Sequence, residues 1–261
     1  MKRQAYILLL ILITPVVIFC QQYNFTNFSL DEGLAQSQSY VIYEDSRGYL
    51  WIGTEGGGVN MFDGRKFANY TIQHGLCDNV IRTVFEDSRG NMWFGSKNNY
   101  LSVFNGTYFK NYNSNHGLEG KFVTAVTEDK KGTVLIGTLE HGLYYFINDS
   151  FIHIPLLNDT ASLGILSLFV SENGRLWIGT KRHGIYVNDK PALRLSGDAP
   201  PYFREQFINL ATKHGLANNQ VNHITEDAHN NIWIATKYGA SKFNGTSFTT
   251  YYQSDGLPGN N

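Results

Sequence analysis

The chain has 261 residues, with 22 acidic and 21 basic side chains and a formal net charge of −1; this near-balance excludes a nucleic-acid module held by counterion release. Charged residues make up 16 %, below the usual share of about 25 %, which excludes a charge-rich disordered chain or a coiled coil. In their place stand 17 Phe, 16 Tyr, 4 Trp and 26 Gly, and since aromatics favour strands and glycine favours turns, the composition reads as all-β with many tight turns.

The chain opens on Lys2 and Arg3, followed by an apolar run from Tyr6 to Phe19 broken only by Thr14 and Pro15. As a helix this run rises about 21 Å, short of a hydrocarbon core of about 30 Å. Residues 1–20 therefore read as a signal peptide, leaving 21–261 as the folded chain. A lipid anchor at Cys20 stays open, although Phe19 is bulky where a lipoprotein signal carries a small residue. With Cys20 removed or lipidated, Cys77 has no intrachain disulfide partner and reads as a lone buried thiol.

Beyond the signal, one motif returns through the chain. EDSRGYLWIGT (Glu44 to Thr54) recurs as EDSRGNMWFGS (Glu86 to Ser96), EDKKGTVLIGT (Glu128 to Thr138), VSENGRLWIGT (Val170 to Thr180) and EDAHNNIWIAT (Glu226 to Thr236). Trp51, Trp93, Leu135 and Trp177 follow one another at 42 residues, and Trp233 comes 56 later. An aromatic (Phe25, Phe67, Phe109, Phe151, Phe207) stands 26 residues before each of these positions. The 14 additional residues of the last interval thus fall between Trp177 and Phe207.

Each period holds four strand signals. In the second copy they are Val80 to Glu86, Asn91 to Ser96, Tyr100 to Phe104 and Tyr108 to Tyr112. The turn sequences between them include Asn105-Gly106, which reads as a two-residue hairpin with positive φ at both positions. Four antiparallel strands in about 42 residues is the size of a propeller blade. The predicted fold is an all-β β-propeller of five four-stranded blades, at about 38–70, 80–112, 122–154, 165–210 and 221–252. An unpaired leading strand, Phe25 to Phe28, precedes them. That strand, and the match of the closing segment from Asp255 to the linker at Asp31-Glu32-Gly33-Leu34, point to part of a longer array; a five-bladed ring with a displaced end strand is the competing expectation.

The aspartate six residues before the Trp position (Asp45, Asp87, Asp129, Asp227; Ser171 in the fourth copy) could suggest paired-carboxylate catalysis. Its recurrence once per blade, beside a Gly-containing turn, instead reads as a structural Asx turn. The candidate binding residues lie in the loops after the second strands: Glu55, Asn98 within Lys97-Asn98-Asn99, Glu140, His141, Lys181, Arg182, His183, Lys237 and Tyr238. Loops entering the next blade (Gln36-Ser37, Asp78-Asn79, Gly120-Lys121, Asn218-Asn219) are expected on the same face. Together they would ring one channel mouth with charges, amides and an aromatic, a mixture suited to hydroxyl-rich or anionic sugars. The insertion, about Asp189 to Arg204 with Pro191, Pro200, Pro201, Tyr202 and Phe203, falls on the opposite face as a docking surface or an elongated loop.

An enzyme is the second reading, since some propellers are lyases or hydrolases. His74, His116 and His214 recur immediately before Gly-Leu, but none falls in a metal-ligand pair and there is no G-x-S-x-G elbow. No catalytic residue, metal or cofactor is assigned. A secreted protein-interaction scaffold without a small ligand is the third reading.

The pattern D-G-L-x-x-N, then V-x-x-I-x-E-D-x-x-G-x-L-W-I-G-T, then G-G-L-x-x-F resembles the two-component regulator propeller repeat. It is carried best by His74-Gly75-Leu76 through Ser96 and His214-Gly215-Leu216 through Thr236, and in register by five repeats over about 23–261. The resemblance implies an extracytoplasmic, periplasmic sensor region of a bacterial hybrid histidine kinase of the Bacteroidetes type. It further implies an oligosaccharide or similar polar ligand, with partner domains beyond these residues. Kinase activity is not carried over, because this sequence holds no kinase nucleotide-binding motifs, no second membrane segment and no immunoglobulin-like module.

Overall fold

The computed structural model describes residues 25–156, 163–188 and 207–259. The signal peptide, Cys20 and the insertion at about 189–204 lie outside the described residues. Five antiparallel sheets follow one another along the chain, each with its four strands in sequence order. The first comprises β1 (Ser39–Glu44), β2 (Leu50–Thr54), β3 (Val59–Phe62) and β4 (Phe67–Tyr70). The second comprises β5 (Ile81–Glu86), β6 (Met92–Ser96), β7 (Leu101–Phe104) and β8 (Phe109–Tyr112). The third has β9 (Val123–Glu128), β10 (Val134–Thr138), β11 (Gly142–Ile147) and β12 (Ser150–Ile154). The fourth has β13 (Ile165–Val170), β14 (Leu176–Thr180), β15 (Ile185–Asn188) and β16 (Phe207–Leu210). The fifth has β17 (Val221–Glu226), β18 (Ile232–Thr236), β19 (Gly239–Phe243) and β20 (Phe248–Tyr251). First strands of successive sheets adjoin, so the sheets are propeller blades turned about a common axis.

The core lies between blades rather than within them. Four buried clusters occupy the four junctions; the one between the first two sheets gathers Trp51, Val59, Leu76, Ile81, Met92 and Phe94, and the remaining three repeat the arrangement. Close approach explains the glycine of the W-I-G-T strand. A Cβ on Gly95 would sit 2.6 Å from Val123 Cγ1 of the next blade. The fifth copy carries Ala235, which is exposed, with no blade packed over it among the described residues. A second tie is polar. Glu86 accepts the backbone N–H and hydroxyl of Ser46 at 2.6 and 2.8 Å, Glu128 accepts those of Ser88 at 2.7 and 2.8 Å, and Glu226 accepts the N–H of Glu172 at 2.7 Å. Each glutamate ends the first strand of one blade and holds the first turn of the preceding one. Val170 interrupts the series in the fourth blade.

Two sequence expectations change. The leading segment Phe25 to Phe28 forms no strand. Phe28 instead packs on Phe62 and Phe67, with ring centroids 4.9 and 5.8 Å away, as Tyr70 packs on Phe104 and Phe109 one repeat later. The aromatic anchor survives because it needs only the next blade's surface, whereas a strand needs a hydrogen-bonding partner along its edge. The Asn105-Gly106 hairpin is also longer than expected. Only Gly106 takes positive φ, and the loop runs from Asn105 to Tyr108. The Asn105 side-chain oxygen accepts the N–H groups of Thr107 and Tyr108, both at 3.0 Å, which places Asn105 at the first position of an Asx-type turn.

The repeated aspartates hold more than their turns. Asp87 Oδ1 accepts the N–H of Arg89 and of Asn91, and Oδ2 accepts the Trp93 indole N–H at 2.8 Å. Asp45 with Trp51 and Asp227 with Trp233 do the same, each at 2.9 Å. Asp129 keeps the turn bonds beside Leu135. In the fourth blade Ser171 bonds within the turn but does not reach Trp177, whose indole N–H is buried without an acceptor among the described residues. Burial alone would raise the Asp45 carboxyl, but hydrogen bonds from Trp51, Arg47 and Tyr49 outweigh it and hold it below the ordinary value. The bonds from Trp233 and Asn231 hold Asp227 lower still.

Ser171→Asp is expected to supply the missing acceptor and raise stability by about 1 kcal/mol, read as a higher midpoint in denaturant unfolding; an unchanged midpoint would refute the assignment. Because Asp45 and Asp227 titrate lower folded than unfolded, they stabilise the fold above the unfolded carboxylate value of about 3.9 and lose that contribution as pH falls through their depressed values. Unfolding followed by tryptophan fluorescence should show this contribution disappearing progressively as pH falls below about 5.

Candidate functional site

The loops after the second strands and the loops entering each blade are hydrogen-bonded to one another, so they form one face. Glu55 bridges Val80, the N–H groups of Gly56 and Gly58 donate to Asn79 O at 3.0 and 2.8 Å, Tyr100 N–H donates to Lys121 O at 3.0 Å, and Gly184 N–H donates to Asn219 O at 2.9 Å. Several polar groups on this face serve the scaffold. Asn79 and Asn219 accept the N–H of Ile72 and Thr212 through their side chains. Asp78 is buried and accepts both the N–H and the side-chain amide of Asn98, at 3.1 and 3.2 Å, which engages Asn98 locally.

The other predicted residues stand around the rim. Lys97 Nζ lies 3.4 Å from Glu55 Oε1, while Glu55 Oε2 is buried and accepts no hydrogen bond from the described residues. His141 faces Glu119 at 3.9 Å. Glu140, Lys181, Arg182 and Lys237 are exposed, and His183 is half-buried. Tyr238 is 49 % exposed with the Lys237 ammonium 5.3 Å from its ring centroid.

Inside this rim, the first strands of all five blades line an axial cavity of about 660 Å³. Every first strand carries a β-bulge near its start, and the residue left out of register is Tyr40, Arg82, Thr124, Leu166 or Asn222 in turn. All five line the cavity. A bulge leaves one residue unpaired and re-aims its side chain, so the repeat presents one freely chosen side chain per blade to the axis. Arg82 is the cation of this ring. Its guanidinium carbon lies 3.7 Å from the Tyr40 ring centroid and 5.6 Å from that of Phe122. Burial pulls it below the ordinary arginine value, with the Glu55 carboxylate acting in the opposite sense.

The reading from sequence missed this ring. A signal was present: at a spacing where scaffold positions recur unchanged, this position holds Tyr, Arg, Thr, Leu and Asn.

The family model for the two component regulator propeller matches residues 33–56, 75–98 and 215–238. No curated protein matches the chain. Among solved structures, the extracellular domain of one B. thetaiotaomicron protein described as a hybrid two component system is 24 % identical, with a TM-score of 0.56 over 87 % of this chain and 36 % of that one. A second such domain from the same organism is 22 % identical, with a TM-score of 0.59 over 83 % of this chain and 27 % of that one. Virginiamycin B lyase of Staphylococcus aureus is 14 % identical, with a TM-score of 0.60 over 83 % of this chain and 70 % of that one. The chain thus spans about a third or less of the two extracellular domains, and these likenesses are likenesses of fold.

The recurrent histidines have a local role. Each ends a single 3₁₀ turn between blades, and its Nδ1 accepts the N–H of the residue opening that turn: Thr71 to His74 at 3.1 Å, Asn113 to His116 at 3.3 Å, Ala211 to His214 at 3.0 Å. The same place holds Glu32 and Asp255, whose carboxylates accept from Ser29 and Tyr252 at 2.7 and 2.8 Å. This is a capping box in which imidazole and carboxylate are interchangeable acceptors. Cys77 is half-buried and free, and burial pushes its thiol up, away from the thiolate a nucleophile needs. Among the described residues, no group of three His, Cys, Asp or Glu side chains is placed to hold a metal. His214→Ala should lower stability by about 0.5–2 kcal/mol, the size of a lost cap, while His214→Glu should unfold at the wild-type denaturant midpoint; equal losses in both would show that the imidazole does more than accept this bond.

Proposed function

On the premise that the chain is built on the two component regulator propeller repeat, we propose that it is the extracytoplasmic ligand-sensing region of a two-component signalling protein. Its ligand is a small polar molecule, of which an oligosaccharide bearing an acidic group fits best, bound at the mouth of the axial cavity. The observation that carries this reading is the ring of five bulge residues, with Arg82 fixed over Tyr40. A guanidinium clamped on an aromatic face gives up little side-chain entropy when it engages a carboxylate or sulfate. The Tyr40 ring offers a surface for a sugar's C–H face, and Asn222 of the same ring an amide for its hydroxyls. Lys97, Lys181, Arg182, His183, Lys237 and Tyr238 at the rim extend the same chemistry outward, alongside Glu140 and His141.

Export by the segment 1–20 accords with this placement. The likeness to a lyase is one of fold, and the engagement of His74, His116 and His214 as caps favours binding over catalysis. The test is calorimetric titration of the chain with a panel of neutral and acidic oligosaccharides. An acidic oligosaccharide should bind, and Arg82→Ala should weaken it about tenfold or more while the chain stays folded. Failure of every acidic member to bind, or binding indifferent to Arg82, would reject this site.

A further inference from the structure

On the opposite face, the β5–β6 and β7–β8 turns of the second blade meet the β9–β10 and β11–β12 turns of the third. A cavity of about 650 Å³ opens between them, within the range of about 300–1,000 Å³ of small-molecule sites. Its inner wall is aromatic. Trp93 and Tyr112 stack nearly parallel, 6.4 Å apart at 8°, and Phe146 meets both edge-on at 5.2 and 5.3 Å. At the rim Tyr108 is 61 % exposed. Beside it, Lys110 Nζ lies 2.5 Å from the Asp149 carboxylate, and the Tyr112 hydroxyl donates to the same group at 2.7 Å.

This polar pair is a departure from the repeat. At the first junction the equivalent positions are Ala68 and Thr107, and at the last they are Ile208 and Thr246. Tyr108 is equally local, with Lys66 in its place in the first blade and Ser247 in the fifth. Scaffold demands are the same at every junction, so groups confined to one junction call for a local explanation.

The charges around the cavity balance, with Asp87, Glu128 and Asp149 against Arg89, Lys110 and Lys131. Each carboxylate is already engaged: Asp87 by the Trp93 indole, Glu128 by Ser88, Asp149 by Lys110. At the Lys110–Asp149 pair an ionic ligand would have to break the pairing and desolvate its own charge. A neutral ligand with an apolar ring face and hydrogen-bonding edges need do neither.

We propose that this interblade cavity is a second ligand site, separate from the axial one, that takes a neutral saccharide stacked on Tyr108 and hydrogen-bonded to the Lys110–Asp149 pair. Occupancy would bridge two blades and so couple the site to their relative packing.

The test applies an array of neutral and acidic oligosaccharides to the wild-type chain, followed by calorimetry on the neutral glycans that bind. Tyr108→Ala should weaken such a glycan about tenfold or more, and Arg82→Ala should leave it unchanged. Tyr108→Lys, which installs the residue of the equivalent position in the first blade, provides a second variant compatible with the repeat and should show the same loss. The proposal is overturned if no neutral glycan binds, or if the binding follows Arg82 and ignores Tyr108. Because the acidic-ligand reading of the axial cavity is tested by Arg82 and this one by Tyr108, each can fail alone.

Discussion

A four-stranded sheet of some forty residues cannot bury both of its faces by itself, and everything else in this molecule follows from that. The apolar faces are satisfied only by the neighbouring blade, so the clusters around Trp51, Trp93, Leu135 and Trp177 sit at junctions. Sheet-on-sheet burial is nondirectional, contributing about 25 cal/mol per Å² of apolar surface removed from water. Orientation comes from the polar ties. The carboxylates of Glu86, Glu128 and Glu226 fix the turn of one blade to the first strand of the next, and the glycine at Gly95 lets those strands approach. Stability in such an array is a sum of neighbour terms, which is why a local loss, such as Ser171 beneath Trp177, can be carried without collapse of the pattern.

Repetition also separates scaffold from function. A group needed at every junction recurs, and the structure gives each recurrence a mechanical reason: Asp to hold the turn and the indole, His or a carboxylate to cap the 3₁₀ turn, Asn79 and Asn219 to close the linker. A group needed for a ligand has no reason to recur. Both proposed binding regions are marked by residues that break the repeat. The axial ring places a different side chain on each bulge, and the interblade cavity concentrates Tyr108, Lys110 and Asp149 at a single junction. The axial mouth and the interblade rim lie on opposite faces and differ in charge character, one led by the arginine over Tyr40 and the other internally neutralised.

Much of the architecture was legible in the sequence, because strand alternation, turn chemistry and the Trp interval are local properties repeated five times. Errors arose where a local signal depended on a partner. Phe25 to Phe28 carries the pattern of a fourth strand but has no edge to pair with, so only its aromatic anchor persists. Asn105-Gly106 has the composition of a two-residue hairpin, but the Asn105 side chain captures two backbone N–H groups and draws the loop out. Among the candidate site residues, Asn98 proved to be tied to Asp78, a contact across 20 residues that no spacing rule supplies.

The sequence by itself determined the fold class, the repeat unit and its turns, and the structural character of the recurrent aspartates, since each is encoded within one period. Only the tertiary structure decided what faces the axis and what lies between blades. The bulge that turns Arg82 inward is a register slip against β6, and the closeness of Lys110 to Asp149 joins two different blades. Both are products of packing at a distance, and a one-dimensional pattern contains no term for them.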